Sequence, residues 1–487
     1  MNSLFLLVPV FLPVALGVIL LTLPFKTQKA RNTFVLTGLL ISSVFVWLAA
    51  FNATEDMVVI LNFTDELRIA LKFDGAGKLF SCLSATLWPL TAIYAFDYMK
   101  HEKHLRMFYA FFVAAFGATM GIAMSENILT MYLFYEFLTI TTIPLVMQGM
   151  THAHKYATRK YMVYSIGGAA FAFSCVAFLI VNGANSFSFG GALDTVNDET
   201  IALVLFVLAF LGFGVKAAIF PFHSWLPTAS VAPTPVTALL HAVAVVKAGA
   251  FALIRLVYYS YGTEFLSGTW AQNVVMALCI FTIIYGSANA LKQPHFKRRL
   301  AYSTISNLSY ICFAVTLMSP LGLVAAFCHL IFHSVIKIGA FFSAGAVLHN
   351  TEKEYVAELE GIGKRMPVTF SCFTVYAIAL AGIPPLCGFF SKWYIARAAL
   401  DINNGLAITG IVILLASALL TAIYMLSPVI KAFFPKEAQP GEVKEKITFK
   451  EADVRMLVPM ILCAITCILF GIFAKIPLNI IEEVLGI

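Results

Sequence analysis

The sequence predicts an all-α polytopic membrane protein with about 14 transmembrane helices, and three observations support this fold class. First, 60% of the 487 residues are apolar and only 12% are charged, with a mean hydropathy of +0.89. Soluble domains are about half apolar and about a quarter charged. Second, fourteen apolar runs approach the roughly 20 residues that cross a bilayer. Third, basic residues concentrate in alternate loops between these runs. Together these features exclude a soluble multidomain protein.

The fourteen runs follow one another along the whole chain, and prolines interrupt two of them. The seventh runs into Pro221 and Pro227, and the twelfth, which is too long for one straight helix, has Pro384 and Pro385 near its centre. Broken helices are tolerated at membrane depth only where protein or a water-filled cavity surrounds them. The predicted spans are 4–24, 33–51, 76–96, 107–124, 127–149, 160–182, 201–221, 234–258, 271–291, 300–318, 320–348, 366–400, 406–433 and 454–475.

The N-terminus and the polar stretches between spans indicate the domain organisation. The run from Met1 to Pro24 lacks the basic segment and the A-x-A site of a signal peptide, so it is predicted to be a first transmembrane helix. The longer polar stretches are too short to form further domains. Residues 1–487 are therefore predicted to form a single membrane domain. The polar stretches are 52–75, 183–200, 350–365 and 434–453.

The spacing of the two broken helices suggests an internal duplication. They lie five spans apart. A five-helix unit must insert upside-down relative to its copy, because its number of helices is odd, and inverted-repeat transporters are built in this way. The predicted repeats cover approximately residues 107–258 and 271–433, and helices 1–3 and 14 flank them.

The loops carry the charges that orient the predicted bundle. Most of the 32 Lys and Arg residues lie in loops after odd-numbered spans, whereas loops after even-numbered spans hold acids such as Asp65 and Asp194. By the positive-inside rule the odd-numbered loops are cytoplasmic and both termini lie on the outer side. The net charge of +7 therefore reflects membrane topology and not a nucleic-acid-binding face. A prokaryotic cytoplasmic (inner) membrane is the expected location.

A few charged residues lie inside the spans, where the topology rule does not explain them. Glu136 is the acidic residue in the middle of an apolar span, and Lys216, Lys247 and Lys337 lie within other spans. Lys392 follows the second break. A buried lone carboxylate costs several kcal/mol unless it finds a partner or stays protonated. A lysine in an apolar site can load and unload a proton near neutral pH. These residues are therefore predicted to handle protons.

Other basic residues near span ends have a simpler interpretation. Lys78, Arg255, Arg397 and Lys475 lie close to the ends of their spans. Long basic side chains at such positions extend their charged heads to the lipid headgroups. We therefore expect these four residues to snorkel and to take no part in transport.

Three ionisable residues of the eleventh span form one stripe. His329, His333 and Lys337 are spaced i, i+4 and i+8, so they line one face of a helix over roughly 12 Å. Imidazoles both donate and accept protons near neutral pH, which favours a proton relay. A structural histidine bonded to a carbonyl and a His-x-x-x-His zinc site are the alternatives. The motif lacks an internal Glu and an obvious third ligand for zinc.

Two further histidines flank the break after the seventh span. His223 and His241 are close to Ser224, Thr234 and Thr237 in the sequence. Two interpretations are open for these histidines: they hydrate the cytoplasmic entrance, or they cap backbone groups exposed at the break.

The sequence contains no motif for a cofactor or a metal of its own. There is no G-x-G-x-x-G after a strand, no Walker motif and no cysteine set for an iron–sulfur cluster. The nine cysteines are scattered and are expected to act as small buried hydrophobes. We therefore expect no bound cofactor, and whether the chain is part of an enzyme stays open at this point.

Four segments of the chain resemble a known family. They are GFGVKAAIFPFHSWLPTASVAPTPVTALLHAVAVVKAG, KRRLAYSTISNLSYI, HLIFHSVIKIGAFFSAG and GIPPLCGFFSKWYI. They resemble the antiporter-like subunits of respiratory complex I. The resemblance is closer to the D-type subunit of Mrp sodium/proton antiporters and to its relatives in membrane-bound energy-converting hydrogenases. It covers essentially residues 70–430 and implies fourteen helices with inverted five-helix repeats, each containing a broken helix.

The resemblance also implies roles for the intramembrane charges. It implies that Glu136 pairs with Lys216 and that Lys247 is the central lysine. His329, His333 and Lys337 would continue a hydrated polar axis that ends at Lys392. Many relatives have aspartate where this chain has His295, which puts any role of that acid in doubt here. Because the sequence ends soon after the fourteenth span, we expect a middle or D-type member without a long lateral helix.

The sequence predicts the function of a proton-translocating subunit. Its parent would be a multisubunit Mrp-type cation/proton antiporter or an ion-pumping oxidoreductase of the complex I or membrane-bound hydrogenase type. The expected partners are other antiporter-like and small membrane subunits, and a redox module with Fe–S clusters in the oxidoreductase case. Protons are the expected ion, with Na⁺ as a further candidate. The alternatives are an autonomous secondary transporter of a small solute or cation and an assembly scaffold.

Overall fold

The computed structural model describes residues 3–52, 57–64, 67–193, 196–435 and 449–487. The chain is mostly helical, as predicted. Two short strands also occur in the described residues, at Val58–Asn62 (β1) and Arg68–Leu71 (β2). Asp65 and Asp194, used in the topology argument, lie outside the described residues, as does much of the polar stretch 434–453.

Twenty α-helices, two 3₁₀ turns and one π-helical segment make up the rest of the described regular structure. The 3₁₀ turns are Ser3–Leu6 and Val356–Leu359, and the π-helical segment is Leu256–Tyr261. The helices are α1 Leu7–Thr22, α2 Gln28–Asn52, α3 Gly75–Tyr98, α4 Leu105–Ala123, α5 Ile128–Val146, α6 His152–Val181, α7 Glu199–Gly214, α8 Trp225–Ala229, α9 Thr234–Ala242, α10 Val245–Arg255, α11 Thr263–Leu266, α12 Trp270–Lys292, α13 Phe296–Thr316, α14 Pro320–Thr351, α15 Ile362–Arg365, α16 Pro367–Ala381, α17 Cys387–Ile402, α18 Gly405–Phe433, α19 Val454–Ile472 and α20 Lys475–Leu485.

Each predicted span has a helical counterpart in the structure. Ten helical stretches are long and apolar enough to cross a membrane, and α1, α7 and α16 are shorter apolar helices. The remaining counterpart is α13, whose serines, threonines and asparagine make it more polar than its neighbours. The chain is therefore an integral multi-pass membrane protein. The division into two inverted repeats stays a prediction.

The two predicted breaks are present. After α7 ends at Gly214 the chain runs through turns until α8 begins at Trp225. After α16 ends at Ala381, Gly382 adopts a left-handed conformation with φ of 85°, which a glycine adopts without steric penalty. The next helix, α17, begins at Cys387. Each break removes intrahelical partners from nearby backbone groups.

The eighth span contains an interruption that the sequence did not predict. It consists of α9 and α10, separated at Val243 and Ala244. The amides of both residues donate to the carbonyl of Leu239, at 3.0 and 2.8 Å. The regular hydrogen-bond ladder stops there, and α10 starts a new helix that carries Lys247.

The centre of the bundle is α14, which is buried along most of its length. It packs against α3, α9, α13, α16, α17 and α19. The neighbouring α13 is also almost entirely buried. Polar groups on these two helices are therefore shielded from lipid, and the central position of α14 places its His/His/Lys stripe inside the protein.

Candidate functional site

The first pair of intramembrane charges lies between α5 and the break after α7. The Nζ atom of Lys216 is 4.0 Å from Oε1 of Glu136. Lys216 is fully buried, whereas the Glu136 side chain is 26% exposed. Lys216 also donates a hydrogen bond to the carbonyl of Tyr135, and its Nζ lies 3.3 Å from the centre of the Tyr135 ring. The structure thus brings together the two residues that the resemblance pairs, and adds a tyrosine.

A second cluster joins α10 to the stripe on α14. Nζ of Lys247 lies 2.7 Å from Nδ1 of His333, and both residues are fully buried. The rings of His333 and His329 stack with centroids 5.6 Å apart and an angle of 22°. Nδ1 of His329 lies 2.9 Å from Oγ of Ser391. The row therefore leads from Lys247 to the residue that precedes Lys392.

Lys337, the third member of the stripe, points to a different set of partners. Its ammonium donates to the carbonyl of Leu300 at 3.0 Å and to the hydroxyl of Ser303, both on α13. Lys337 therefore joins α14 to α13.

Lys392 is held by the second broken helix. Its Nζ donates to the carbonyls of Leu380 and Ala381, at 2.7 and 3.1 Å. These are the last residues of α16, where carbonyls lack intrahelical partners and carry the negative end of the helix dipole. The break therefore supplies the groups that solvate a buried ammonium.

Each broken-helix lysine lies near a tyrosine ring. The ring of Tyr310 on α13 is centred 5.4 Å from Nζ of Lys392, as Tyr135 on α5 is close to Lys216. In the predicted repeats α5 and α13 occupy equivalent places, as spans five and ten. The residue after Tyr135 is Glu136, whereas Ile311 follows Tyr310. Lys392 thus has a tyrosine ring nearby, as Lys216 does, but no carboxylate follows that tyrosine in the sequence.

A cluster of buried hydroxyls, which the sequence analysis missed, holds Tyr310 in place. The Tyr310 hydroxyl donates to Oγ of Ser417 at 2.7 Å. Oγ of Ser417 also lies 2.5 Å from that of Ser287 and 3.0 Å from that of Ser306. The only hint in the sequence was the run of small polar residues in KRRLAYSTISNLSYI. We call Ser287, Ser306, Tyr310 and Ser417 the hydroxyl cluster.

The snorkelling prediction is wrong for Arg255. This residue is fully buried, and its guanidinium donates two hydrogen bonds to Asp74, one of them 2.6 Å long. Burial raises the pKa of Asp74, but Arg255 opposes this effect and the net pKa lies below the usual value. Asp74 also caps α3 by accepting from the amide of Gly77 at 2.9 Å. The hydropathy pattern did not reveal this pair because its partners are 181 residues apart.

The other three histidines discussed above have partners of their own. Nε2 of His223 is 3.2 Å from the Tyr285 hydroxyl, and Nε2 of His241 is 3.3 Å from Oγ of Ser230. His295 pairs with Glu354 at 3.3 Å. Burial lowers the pKa of His295, and the Glu354 carboxylate partly offsets that effect.

Within the described ranges, no group of three His, Cys, Asp or Glu residues is arranged to hold a metal ion. The i, i+4 pair His329 and His333 contacts Lys247 and Ser391. An ammonium beside an imidazole nitrogen suits proton exchange, whereas zinc requires further anionic or imidazole ligands.

Two solved structures share this fold. The chain aligns with a chain of the Mrp complex from Dietzia sp. DQ12-45-1b with a TM-score of 0.85 and 22% identity, covering 99% of this chain and 52% of that one. It aligns with a chain of the membrane-bound sulfane sulfur reductase, an archaeal respiratory membrane complex, with a TM-score of 0.86 and 22% identity, covering 99% and 96%. The chain therefore shares the fold of a chain in each of these two membrane complexes.

The sequence comparisons identify the family. Residues 125–421 match the family described as NADH:quinone oxidoreductase/Mrp antiporter, transmembrane. This match covers more than half of the chain, so the chain belongs to that family.

Relatives in the family differ in the complexes named for them. The A/B-type component of a probable K(+)/H(+) antiporter of Rhizobium meliloti is 34% identical over 329 residues, covering 67% of this chain and 32% of that protein. The N-type component of the NADH-quinone oxidoreductase of Desulforudis audaxviator is 30% identical over 407 residues, covering 81% and 80%. The A1-type component of the Na(+)/H(+) antiporter of Staphylococcus haemolyticus is 29% identical over 438 residues, covering 85% and 53%. This chain thus spans about a third of the length of the K(+)/H(+) antiporter protein and about half of the length of the Na(+)/H(+) antiporter protein.

Proposed function

We propose that this chain is the proton-translocating membrane subunit of a multisubunit cation/proton antiporter or of a related ion-pumping oxidoreductase. The observation that carries the proposal is the buried row on α10, α14 and α17. In this row Lys247 touches His333, His333 stacks on His329, and His329 bonds to Ser391 beside Lys392. Each of these lysines and histidines can hold or release a proton, and hydroxyls can pass one between them.

The Glu136–Lys216 pair forms the other end of the proposed path. Gly249 on α10 packs on the break that carries Lys216, because a Cβ added there would lie 2.5 Å from the Ala217 nitrogen. Lys247 is therefore on a helix in direct contact with the break. A proton that enters at Glu136 and Lys216 would pass to Lys247, then along His333 and His329 to Lys392. Movement of Glu136 relative to Lys216 would change how firmly the lysine holds its proton.

The parent complex supplies the energy for this transport. Relatives are named for antiporters and for a quinone oxidoreductase, so the expected partners are antiporter-like and small membrane subunits. A redox module with Fe–S clusters is expected in the oxidoreductase case. The proposed location is a prokaryotic cytoplasmic membrane with both termini outside. Na⁺ is a candidate for the exchanged cation.

The proposal is tested with the assembled complex in inverted membrane vesicles. Glu136→Ala and Lys216→Ala should abolish proton translocation, measured with a fluorescent ΔpH probe, while the amount of assembled complex is unchanged. Lys475→Ala is the matched control, because Lys475 is exposed at the start of α20. Proton transport that persists in an assembled Glu136→Ala/Lys216→Ala double variant would contradict the proposal. Transport by the purified chain alone in liposomes would favour an autonomous transporter instead.

A further inference from the structure

An apolar cleft lies between α2, α3, α14, α19 and α20. It is separate from the buried row of Lys247, His333, His329 and Ser391, which we call the proton row. Its volume is about 810 Å³, within the range of about 300–1,000 Å³ of small-molecule sites. The cleft opens toward the outside of the bundle, where Trp47, Phe51 and Ile476 are exposed by 41%, 80% and 59%. On α14 it is lined by Ile331 and Val335, which lie on a different helix face from the His/His/Lys stripe.

The length of the cleft matches one leaflet of a bilayer. It follows α3 from Lys78 to Leu90, a distance of about 18 Å at the helical rise. This is somewhat more than half of the roughly 30 Å hydrocarbon core. A transmembrane helix of another subunit would need the whole thickness. A lipid acyl chain, which extends from the headgroup layer to the bilayer midplane, fits this depth.

The mouth of the cleft presents one positive and one negative side chain. Lys78 is half-buried in the first turn of α3, and Glu483 is exposed near the end of α20. The two helix ends are in contact, because a Cβ on Gly75 would overlap the carbonyl oxygen of Val484. Across the described ranges no ion pair within 4.0 Å joins Lys78 to a carboxylate. An ammonium beside an apolar cleft in a membrane is stabilised by an anionic partner.

We propose that this cleft binds one zwitterionic phospholipid with an amine headgroup. The phosphate of the lipid pairs with Lys78, its ammonium group pairs with Glu483, and one acyl chain fills the cleft between α3 and α19. Trp47 also lines the cleft and is exposed, and tryptophan commonly marks the level of the headgroups. The site is independent of the proton row, so it stands whether or not the proposed transport is correct.

The test measures lipid retention by the delipidated full-length chain. Phosphatidylethanolamine or phosphatidylglycerol is added back, and bound lipid is counted by native mass spectrometry. Thr86→Trp fills the cleft half-way along α3, because Thr86 lines it and is exposed. This variant should lose the phosphatidylethanolamine adduct. Lys78→Gln should weaken binding of both lipids by about tenfold, the size of one charge-assisted hydrogen bond. Glu483→Gln should weaken only phosphatidylethanolamine.

Lys475→Gln is the matched control, since Lys475 is an exposed lysine at the start of the same α20 helix and does not line the cleft. Adduct levels that are equal in the wild type and Thr86→Trp would overturn the proposal. If Thr86→Trp does not fold, a second comparison replaces it. The proposal is then overturned if Glu483→Gln binds phosphatidylethanolamine and phosphatidylglycerol as the wild type does. A photo-crosslinking residue at Leu87 that captures a neighbouring protein in the intact complex, and not lipid, would also overturn it.

Discussion

Tyrosines accompany the two lysines of the broken helices, and each ring is fixed differently. The Tyr135 hydroxyl donates to the carbonyl of Phe213 at 3.1 Å, at the end of α7. The Tyr310 hydroxyl donates to Ser417 within the hydroxyl cluster. The electron-rich face of an aromatic ring attracts an ammonium, by about 0.5–2 kcal/mol depending on desolvation. Each tyrosine therefore favours the protonated form of its lysine while its hydroxyl fixes the position of the ring.

The residue-scale prediction concerns Tyr310. Tyr310→Leu removes the ring near Lys392 and should slow proton translocation by about tenfold, because the cation–ring attraction is lost. Tyr310→Phe keeps the ring and loses only the bond to Ser417, so its effect should be smaller. The measurement is the initial rate of ΔpH formation at equal amounts of complex. Tyr156→Leu, at an exposed position, is the control. Equal rates for Tyr310→Leu and the wild type would argue against this role.

A second residue-scale prediction concerns stability. Arg255→Met leaves Asp74 in a largely buried site without its partner, which should destabilise the chain by about 3–5 kcal/mol. Asp74→Asn in the same chain removes the uncompensated charge and should restore much of that loss. The measurement is thermal unfolding in detergent. If the double variant is no more stable than Arg255→Met, the pair does not stabilise the fold in the way described.

At the scale of elements, close helix packing sets the positions of the charges. Gly249 allows α10 to lie directly on the break after α7, and Gly286 allows α12 to approach α13, since a Cβ there would be 2.7 Å from the Ser306 nitrogen. The first contact places the helix of Lys247 beside Lys216. The second brings Ser287 and Ser306 within 2.8 Å. Small residues at these crossings are thus required for both polar networks.

The element-scale prediction follows from the contact at Gly249. Gly249→Ala places a methyl group against the backbone of Lys216 and Ala217, so α10 or the break must shift. If transport uses the proposed relay groups, whose positions must hold to within about an ångström, the rate should fall by at least about tenfold. Gly167→Ala in α6 is the matched control, because open space surrounds that position. A normal rate in Gly249→Ala would show that this packing is not needed.

At the scale of the whole molecule, the sequence predicted the architecture better than it predicted the contacts. Apolar runs predicted where the helices lie, and Pro384 with Pro385 predicted the second break, because both signals are local. The partnership of Arg255 with Asp74 and the contact of Lys247 with His333 join distant segments, which hydropathy does not encode. The hydroxyl cluster was missed because single serines in apolar spans are common and only their convergence is informative.

The prediction at this scale concerns orientation. Glu360 lies in the connection before α15, and Asn403 lies between α17 and α18; both are exposed. If the positive-inside assignment holds, a membrane-impermeant maleimide should label Asn403→Cys in right-side-out vesicles and Glu360→Cys only in inverted vesicles. Eight of the nine native cysteines are buried and Cys82 is half-buried, so background labelling should be low. The reverse labelling pattern would show that the chain has the opposite orientation in the membrane.

Because Glu136 follows Tyr135 but Ile311 follows Tyr310, the lysines at the two ends of the row have different electrostatic surroundings. Lys216 has a carboxylate counter-ion whose side chain is 26% exposed, so a charge that moves in a neighbouring protein of the complex can alter the field at this lysine directly. Lys392 is solvated by the fixed carbonyl dipoles of α16 and is 6% exposed, so it is insulated from events outside the chain. If the proposed path is correct, the Glu136–Lys216 end therefore responds to charges that move in the rest of the complex, and the Lys392 end responds only to the proton that reaches it.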